Sequence, residues 1–135
     1  MNHIKTDICI IGGGSGGLSV AAGAVQMGAS VVLLEGHKMG GDCLNYGCVP
    51  SKALIAAGKH AHAMTTGAAF GVTPVKPTVD YAAAKEHVAS VIAGIEPHDS
   101  VERFESLGVQ VISEYGAFIS PTQVQAGETI ITARR

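Results

Sequence analysis

Short apolar runs and helical patterns alternate along the first third of the chain. Thr6 to Ile11 is an apolar run rich in β-branched residues, which predicts a strand buried on both faces, as in a parallel sheet. Apolar residues then recur at helical spacing from Leu18 to Val25, before Gly28, and Ser30 to Leu34 predicts the next strand. Strand, helix and strand in this order predict one right-handed βαβ crossover.

The middle of the chain carries two further helical patterns. Residues 53–66 have the composition of a helix, and Pro50 suits a position in a first helical turn. An apolar stripe from Tyr81 to Ile95 predicts a second, packed helix, with Asp80 as its N-cap. We expect Pro97 to end it.

Toward its end the chain changes from helical to strand-like patterns. Asp99 or Ser100 is expected to cap a short helix that Gly108 closes, and Val109 to Ser113 predicts a third strand. Three short runs separated by turn residues, YGAFIS, TQVQ and ETIITA, predict a small antiparallel meander. The predicted fold class is therefore α/β, with a parallel sheet and a small antiparallel β-meander.

Composition and charge limit the possible functions. The 135 residues are 47% hydrophobic and 15% charged, which suits one soluble domain or part of one. Nine basic and eleven acidic residues include no basic block, so we expect no nucleic-acid partner. The apolar run near the N-terminus is too short for a secretion signal or a membrane span, so we expect no membrane insertion and a cytoplasmic location.

The cysteines point to redox or metal chemistry rather than to a disulfide scaffold. Cys9, Cys43 and Cys48 are too few, and odd in number, for such a scaffold. In a reducing compartment the close pair is expected to bind metal or to be redox-active, whereas Cys9 is expected to be a small buried hydrophobic residue. Six scattered histidines supply no second ligand pair, so no metal site is expected.

Glycines directly after the first predicted strand fit the G-x-G-x-x-G pattern of dinucleotide-binding units. Gly12 permits the tight turn, Gly14 lets a pyrophosphate approach the backbone, and Gly17 lets the helix pack close to the sheet. The phosphates would lie at the helix N-terminus, where free N–H groups point at them and where Ser15 and Gly16 also lie. The loop therefore predicts a dinucleotide site.

An acid in the expected place supports the same site. Glu35 follows the second predicted strand, eighteen residues after Gly17, where a carboxylate accepts hydrogen bonds from ribose hydroxyls. Flavin and nicotinamide enzymes share this arrangement, so it does not choose between the two dinucleotides.

The stretch GGDCLNYGCVPSK, residues 40–52, resembles the active-site signature of the flavoprotein disulfide reductases, the family of dihydrolipoyl dehydrogenase, glutathione reductase and mercuric reductase. The resemblance implies a Rossmann-like FAD-binding domain, bound FAD and NAD(P)H as co-substrate. The matching positions are Gly40, Gly41, Cys43, Gly47, Cys48, Pro50, Ser51 and Lys52.

The resemblance also implies roles for single residues. In the family, the cysteine matching Cys48 contacts the flavin, the one matching Cys43 exchanges with the substrate, and the lysine matching Lys52 lies near the flavin ring. The residue chemistry agrees, because a cysteine near a helix N-terminus with a lysine one turn further on favours the thiolate.

Two further positions carry over weakly. Asp42 stands after Gly41, where many relatives have a threonine that helps to hold the cofactor's phosphates, and a carboxylate there would repel a pyrophosphate unless it turns away. In relatives, the backbone at the position of Gly116 touches the adenine.

The spacing of the pair constrains the backbone between its members. Residues five apart on a regular helix are separated by roughly 7 to 9 Å, outside disulfide reach. The backbone must therefore depart from a helix, and we expect this at Asn45 and Gly47.

The resemblance extends over the whole chain but over only the first third of a typical member. It implies that residues 1–135 are the N-terminal part of an FAD-binding domain, truncated at the C-terminus. NAD(P)-binding and dimerisation domains, and the C-terminal histidine-glutamate pair of the family, are not in this sequence. The parent protein is expected to be a homodimer that passes electrons between NAD(P)H, FAD, the Cys43-Cys48 pair and a disulfide, dihydrolipoyl or mercuric acceptor. We expect the fragment alone to be inactive.

Two alternatives remain open at this stage. An FAD-dependent monooxygenase or amine oxidase would share the glycine loop and Glu35 but would have no use for Cys43 and Cys48. A non-catalytic, redox-sensing nucleotide-binding module would use the cysteines only to report oxidation.

Overall fold

The structure, a computed structural model, describes all residues from 1 to 135 and contains two sheets. One sheet has three parallel strands, which follow in the order β2 (Ile8–Ile11), β3 (Val31–Leu34) and β4 (Gln110–Ile112). The other sheet has four strands, in the order β1 (Asn2–Thr6), β7 (Thr129–Ala133), β6 (Gln123–Ala126) and β5 (Gly116–Ser120). The last three strands form the predicted antiparallel meander, and β1 joins β7 in parallel.

Five helices surround the sheets, and two 3₁₀ turns lie between them. None of the helices is both long enough and apolar enough to span a bilayer. The helices are α1 (Ser15–Gln26), α2 (Gly41–Asn45), α3 (Cys48–Ala63), α4 (Tyr81–Ile95) and α5 (Val101–Ser106), and the 3₁₀ turns are Ala68–Phe70 and Glu96–Asp99.

Strand β3 is the centre of the fold, because both of its faces are buried. Val31 and Leu33 face one core, which also holds side chains of α1 and α5. Val32 and Leu34 face a second core, against side chains of the meander. The period-two alternation of a strand therefore lets one short apolar run hold a helical layer on one side and a second sheet on the other. The α/β, Rossmann-like fold class is confirmed.

The prediction of one strand from Thr6 to Ile11 was wrong, because the chain leaves the first sheet at Asp7. The Asp7 carboxylate accepts hydrogen bonds from the N–H and O–H of Ser30, both at 2.9 Å, and its Oδ1 lies 3.1 Å from Arg134. These bonds, those of Ser30 first, lower the pKa of Asp7. They hold a polar break between β1 and β2.

Burial of β2 on both faces was also wrong for this chain. Strand β2 is an edge strand that is half-buried, and Ile11 is 47% exposed. Outside β3, its backbone pairs with Ser30, whose carbonyl accepts from Ile8 N at 3.1 Å, and with Arg135, whose carbonyl accepts from Cys9 N at 2.9 Å. Cys9 is half-buried and packs against the second core, and this burial raises its pKa.

The helix predicted over residues 53–66 is α3, which begins earlier than predicted, at Cys48, and also ends earlier, at Ala63. Pro50 fits its first turn because it lacks the N–H that would be without an intrahelical partner there. In α4 only Val88 is fully buried, and Tyr81 is 63% exposed. Fewer apolar residues of this helix are therefore buried than its sequence predicts.

The expected caps are present at two other helix starts. Asp80 Oδ1 accepts from Ala83 N at 3.1 Å, and Ser100 Oγ, rather than Asp99, accepts from Arg103 N at 3.2 Å. Helix α4 ends at Ile95, two residues before Pro97.

Gly17 marks the closest approach of α1 to the strand before it. A Cβ atom at this position would overlap the carbonyl oxygen of Gly12 and would lie 3.1 Å from the side chain of Ile10. Only glycine therefore lets α1 pack at this distance, as the glycine pattern predicts.

We predict that Gly17→Ala destabilises the chain by about 1–3 kcal/mol, because backbone atoms cannot move aside as a flexible side chain can. Gly23→Ala is the matched control in the same helix, since its Cβ would meet nothing within 4 Å. The control is expected to stabilise the chain by up to about 1 kcal/mol. Urea unfolding of both variants measures the difference, and equal stabilities would contradict the close-packing role of Gly17.

Candidate active site

The glycine loop lies at the carboxyl ends of β2 and β3 and leads into α1. Gly12 has φ +110°, a conformation that favours glycine, and donates its N–H to Leu34 O at 2.7 Å. The N–H groups of Gly16 and Gly17 donate to no acceptor in the protein. Free donors and the positive end of the α1 dipole therefore meet here, an arrangement that suits a phosphate.

Glu35, the residue after β3, binds the backbone of this loop through its carboxylate. Its Oε2 accepts the Gly13 N–H and its Oε1 accepts the His37 N–H, each at 2.8 Å. An ionised carboxylate offers about four acceptor positions, so each oxygen can still accept a ribose hydroxyl. Glu35 thus shapes the loop and keeps the acceptor capacity that the sequence assigns to it.

The segment that carries the cysteines is tied to the glycine loop through backbone atoms. Gly40 N donates to Gly13 O at 2.8 Å, and a Cβ on Gly41 would lie 2.7 Å from the Cα of Gly14. Gly40 and Gly41 have φ of +88° and +60°. Glycine is therefore needed at positions 40 and 41, and a side chain on Gly41 would fill the space between the two loops.

Cys43 lies in α2, and Cys48 is the first residue of α3. The structure brings the two side chains near enough that Cys48 is the main influence on the pKa of the Cys43 thiol, which it raises. Both cysteines are present as free thiols. The two residues suited to a disulfide thus lie side by side at the junction of α2 and α3.

The backbone departs from a helix between the cysteines, as predicted, but at different residues. Gly47 is one of them, whereas Asn45 is the last residue of α2 and the other departure is at Tyr46. Asn45 instead uses its side-chain amide, which donates to Met39 O at 3.2 Å and to Gly41 O at 2.9 Å. The prediction that the backbone leaves the helix at Asn45 was therefore wrong, because Asn45 is helical and its side-chain amide binds backbone carbonyls at the start of α2.

The two thiols have different electrostatic environments. The pKa of Cys43 is raised, first by the hydrogen bond of its thiol to Cys48, then by partial burial and by negative charge on Cys48 and Asp42. The Cys48 N–H opposes this rise. Cys48 is exposed at the N-terminus of α3, and Lys52 one turn later is exposed and forms no ion pair. These surroundings favour the protonated form of Cys43.

Asp42 and Gly116, the two weaker candidates, lie at the edges of the site. A Cβ on Gly47 would lie 2.7 Å from Asp42 Oδ2, so this carboxylate lies beside Gly47. Gly116 begins β5, and a Cβ there would lie 2.5 Å from the Leu34 side chain, which explains the glycine by packing. Ser15 is exposed, and its hydroxyl has no partner in the protein. No group of three histidine, cysteine or acidic side chains is placed to hold a metal ion.

Three residues of the site were missed from the sequence. Gly13 is buried, donates to Glu35, and has no room for a Cβ, which would lie 2.9 Å from Met39 Sδ. His37 and Tyr46 contact each other beside the cysteines. The third glycine in a row was a usable signal for Gly13, whereas nothing in the sequence pairs His37 with Tyr46.

Comparison with known proteins agrees with this geometry. The profile of the family described as "Pyridine nucleotide-disulphide oxidoreductase" matches residues 6–135. The chain belongs to this family. The resemblance to this family that was inferred from residues 40–52 is confirmed.

Named relatives cover the chain but are much longer than it. Dihydrolipoyl dehydrogenase 2, chloroplastic, of Arabidopsis thaliana is 34% identical over 95% of this chain and 23% of its own length. Dihydrolipoyl dehydrogenase of Bacillus subtilis is 43% identical over 66% of this chain and 19% of its own length. Mercuric reductase of Streptomyces lividans is 32% identical over 86% of this chain and 25% of its own length. The chain thus spans about a quarter or less of these relatives.

We predict that Asp42→Asn lowers the pKa of Cys43, because it removes a negative charge that disfavours the thiolate. A larger fraction of Cys43 is then ionised at a given pH, so its alkylation by iodoacetamide shifts to lower pH. A Cys48→Ser background separates this effect from the coupled titration of the pair. Peptide-resolved mass spectrometry measures the alkylated fraction of Cys43 at each pH.

Asp42→Glu keeps the charge and is expected to keep the original profile. Asp99→Asn, which removes a carboxylate that does not act on Cys43, is the second control. An unchanged profile in Asp42→Asn would show that Asp42 has no influence on the thiol.

Proposed function

We propose that this chain forms the flavin and disulfide part of an FAD-dependent, NAD(P)H-linked disulfide oxidoreductase of the dihydrolipoyl dehydrogenase and mercuric reductase type. The observation that carries the proposal is the contact between Cys43 and Cys48 at the start of α3, beside the glycine loop. A monooxygenase or amine oxidase would need the loop and Glu35 but not this contact.

The residues present fit FAD. Unpaired N–H groups at the start of α1 suit its pyrophosphate, and the free acceptor positions of Glu35 suit its ribose. Where Gly41 meets Gly14, a side chain on Gly41 would fill the space between the two loops. Bound FAD would supply the chemistry that links two-electron transfer from a nicotinamide to a disulfide. In this assignment Gly12, Ser15 and Gly16 complete the phosphate loop.

The two cysteines divide the work between them. When the Cys43–Cys48 disulfide opens, its S–S bond breaks, two electrons that NAD(P)H supplies enter the pair, and one proton is taken up at Cys43. Cys48, at the positive end of the 16-residue helix α3, holds the negative charge on the cofactor side. Cys43 retains its proton and faces the substrate disulfide. Lys52 adds a positive charge one turn after Cys48, and the turn of Asp42 toward Gly47 keeps its carboxylate off the phosphates.

We further propose that residues 1–135 are the N-terminal part of the FAD-binding domain of a longer, homodimeric protein. The open edge of β2, where the apolar Ile11 is exposed, supports a further strand there. Gly116 lies near the carboxyl ends of β2 and β3, against Ile11 and Leu34, and we assign its backbone to the contact with the adenine. The acceptor is a small-molecule or lipoyl-type disulfide or a mercuric ion, chosen by residues outside this chain. A cytoplasmic location fits reversible thiol chemistry.

Steady-state turnover of the longer protein tests the function. With NADH or NADPH and a panel of lipoamide, glutathione disulfide and mercuric ion, we expect turnover of at least one acceptor. Cys43→Ser and Cys48→Ser are each expected to abolish it, while Cys9→Ser retains it. Turnover that survives both substitutions would favour the monooxygenase or oxidase class, and no turnover with a redox-responsive pair would favour a sensor.

For the isolated chain we predict weak FAD binding and no turnover. The side of the site beyond the β2 edge is open, so the cofactor would lose part of its contacts. FAD added in excess is expected to be removed by desalting, as followed by the flavin absorbance. A flavin spectrum that persists after desalting would contradict the prediction.

A further inference from the structure

Tyr46 lies between the two cysteines and is held by side chains from a different loop. It is 60% exposed, yet its hydroxyl lies 3.1 Å from His37 Nε2 and its ring stacks on the imidazole, with an angle of 10° between the planes. Lys38 Nζ lies over the same ring, 5.8 Å from its centroid. We call His37, Lys38 and Tyr46 the clasp.

The clasp acts on the part of the backbone that sets the geometry of the cysteine pair. Tyr46 and Gly47 are the two non-helical residues that join α2 to α3. Their N–H groups share one acceptor, Asp42 O, at 2.8 and 2.6 Å. Besides these backbone bonds, the link is held by the side chain of Tyr46, which contacts His37 and Lys38. Its loss would leave the link held by backbone bonds alone.

We propose that the clasp is a positioning device that favours closure of the Cys43–Cys48 disulfide, by restricting the Tyr46–Gly47 link to the conformation that keeps α2 and α3, and with them the two cysteines, side by side. Restricting a link raises the effective concentration of one thiol at the other. The clasp is also connected to the proposed FAD site, because the His37 backbone N–H donates to the Glu35 carboxylate. The proposal rests on the proposed function, since it requires the pair to be redox-active.

The test uses oxidised and reduced glutathione with the 135-residue chain in a Cys9→Ala background. In the forward direction one glutathione disulfide takes two electrons and two protons from the two thiols, so that one S–S bond forms and one breaks. The fraction of closed disulfide across a series of glutathione ratios gives the equilibrium constant and the reduction potential.

Tyr46→Phe removes only the hydroxyl and keeps the ring. A neutral, partly exposed hydrogen bond changes such an equilibrium by roughly threefold, so we expect the constant for closure to fall by about that factor. For a two-electron couple a threefold change raises the potential by about 14 mV. Tyr81→Phe is the matched control, since Tyr81 is 63% exposed and its hydroxyl makes no hydrogen bond, and it is expected to change nothing.

A double-mutant cycle connects the effect to His37. His37→Ala is expected to lower the closure constant at least as much as Tyr46→Phe, and the double variant no further than His37→Ala. Far-UV circular dichroism and urea unfolding verify that each variant is folded. Equal constants for Tyr46→Phe and Tyr81→Phe, or an undiminished Tyr46→Phe effect in the His37→Ala background, would overturn the proposal.

The outcomes separate the clasp from the function on which it rests. If no variant forms the intrachain disulfide, including the parent chain, the redox function fails and the clasp with it. If the disulfide forms with the same constant in the parent chain and in Tyr46→Phe, only the clasp fails.

Discussion

The backbone contact between the loop before α1 and the loop before α2 is the constraint on which the site depends. Gly40 N–H donates to Gly13 O, and Gly41 lies so close to Gly14 that a side chain at position 41 would overlap its backbone. This contact places the helix that carries Cys43 beside the free N–H groups at the start of α1. The glycine loop and the segment that carries the two cysteines are therefore one structure, joined through the backbone of glycines.

The proximity of Cys43 and Cys48 depends on a second constraint, the break in the helix between α2 and α3. A continuous helix would separate residues five apart beyond disulfide reach. Tyr46 and Gly47 break the path, and Asp42 O compensates the break by accepting both of their N–H groups. The second helix begins at Cys48, so Cys48 lies exposed at the positive end of α3, whereas Cys43 is half-buried in α2. The different surroundings of the two sulfurs thus follow from where the two helices end and begin.

Sequence patterns predicted the parts of the fold and site that depend on local periodicity or on a fixed spacing of residues. The βαβ unit, the meander and the glycine loop belong to this group. Strand β1 was not predicted from the sequence, because NHIKT has little apolar character and pairs with β7 from the other end of the chain. The break at Asp7 depends on Ser30, and the contact of Tyr46 depends on His37. Side-chain contacts between separate loops have no periodic signal, so the structure was needed to find them.

The most direct measurement of the central claim is a count of thiols in the isolated chain before and after mild oxidation by glutathione disulfide. The reduced chain has three free cysteines, Cys9, Cys43 and Cys48. If Cys43 and Cys48 form a reversible pair, the count falls to one, the mass decreases by two hydrogen atoms, and a peptide linked between Cys43 and Cys48 is found. Stable glutathione adducts on both residues, or disulfides between chains in place of the internal bond, would contradict it.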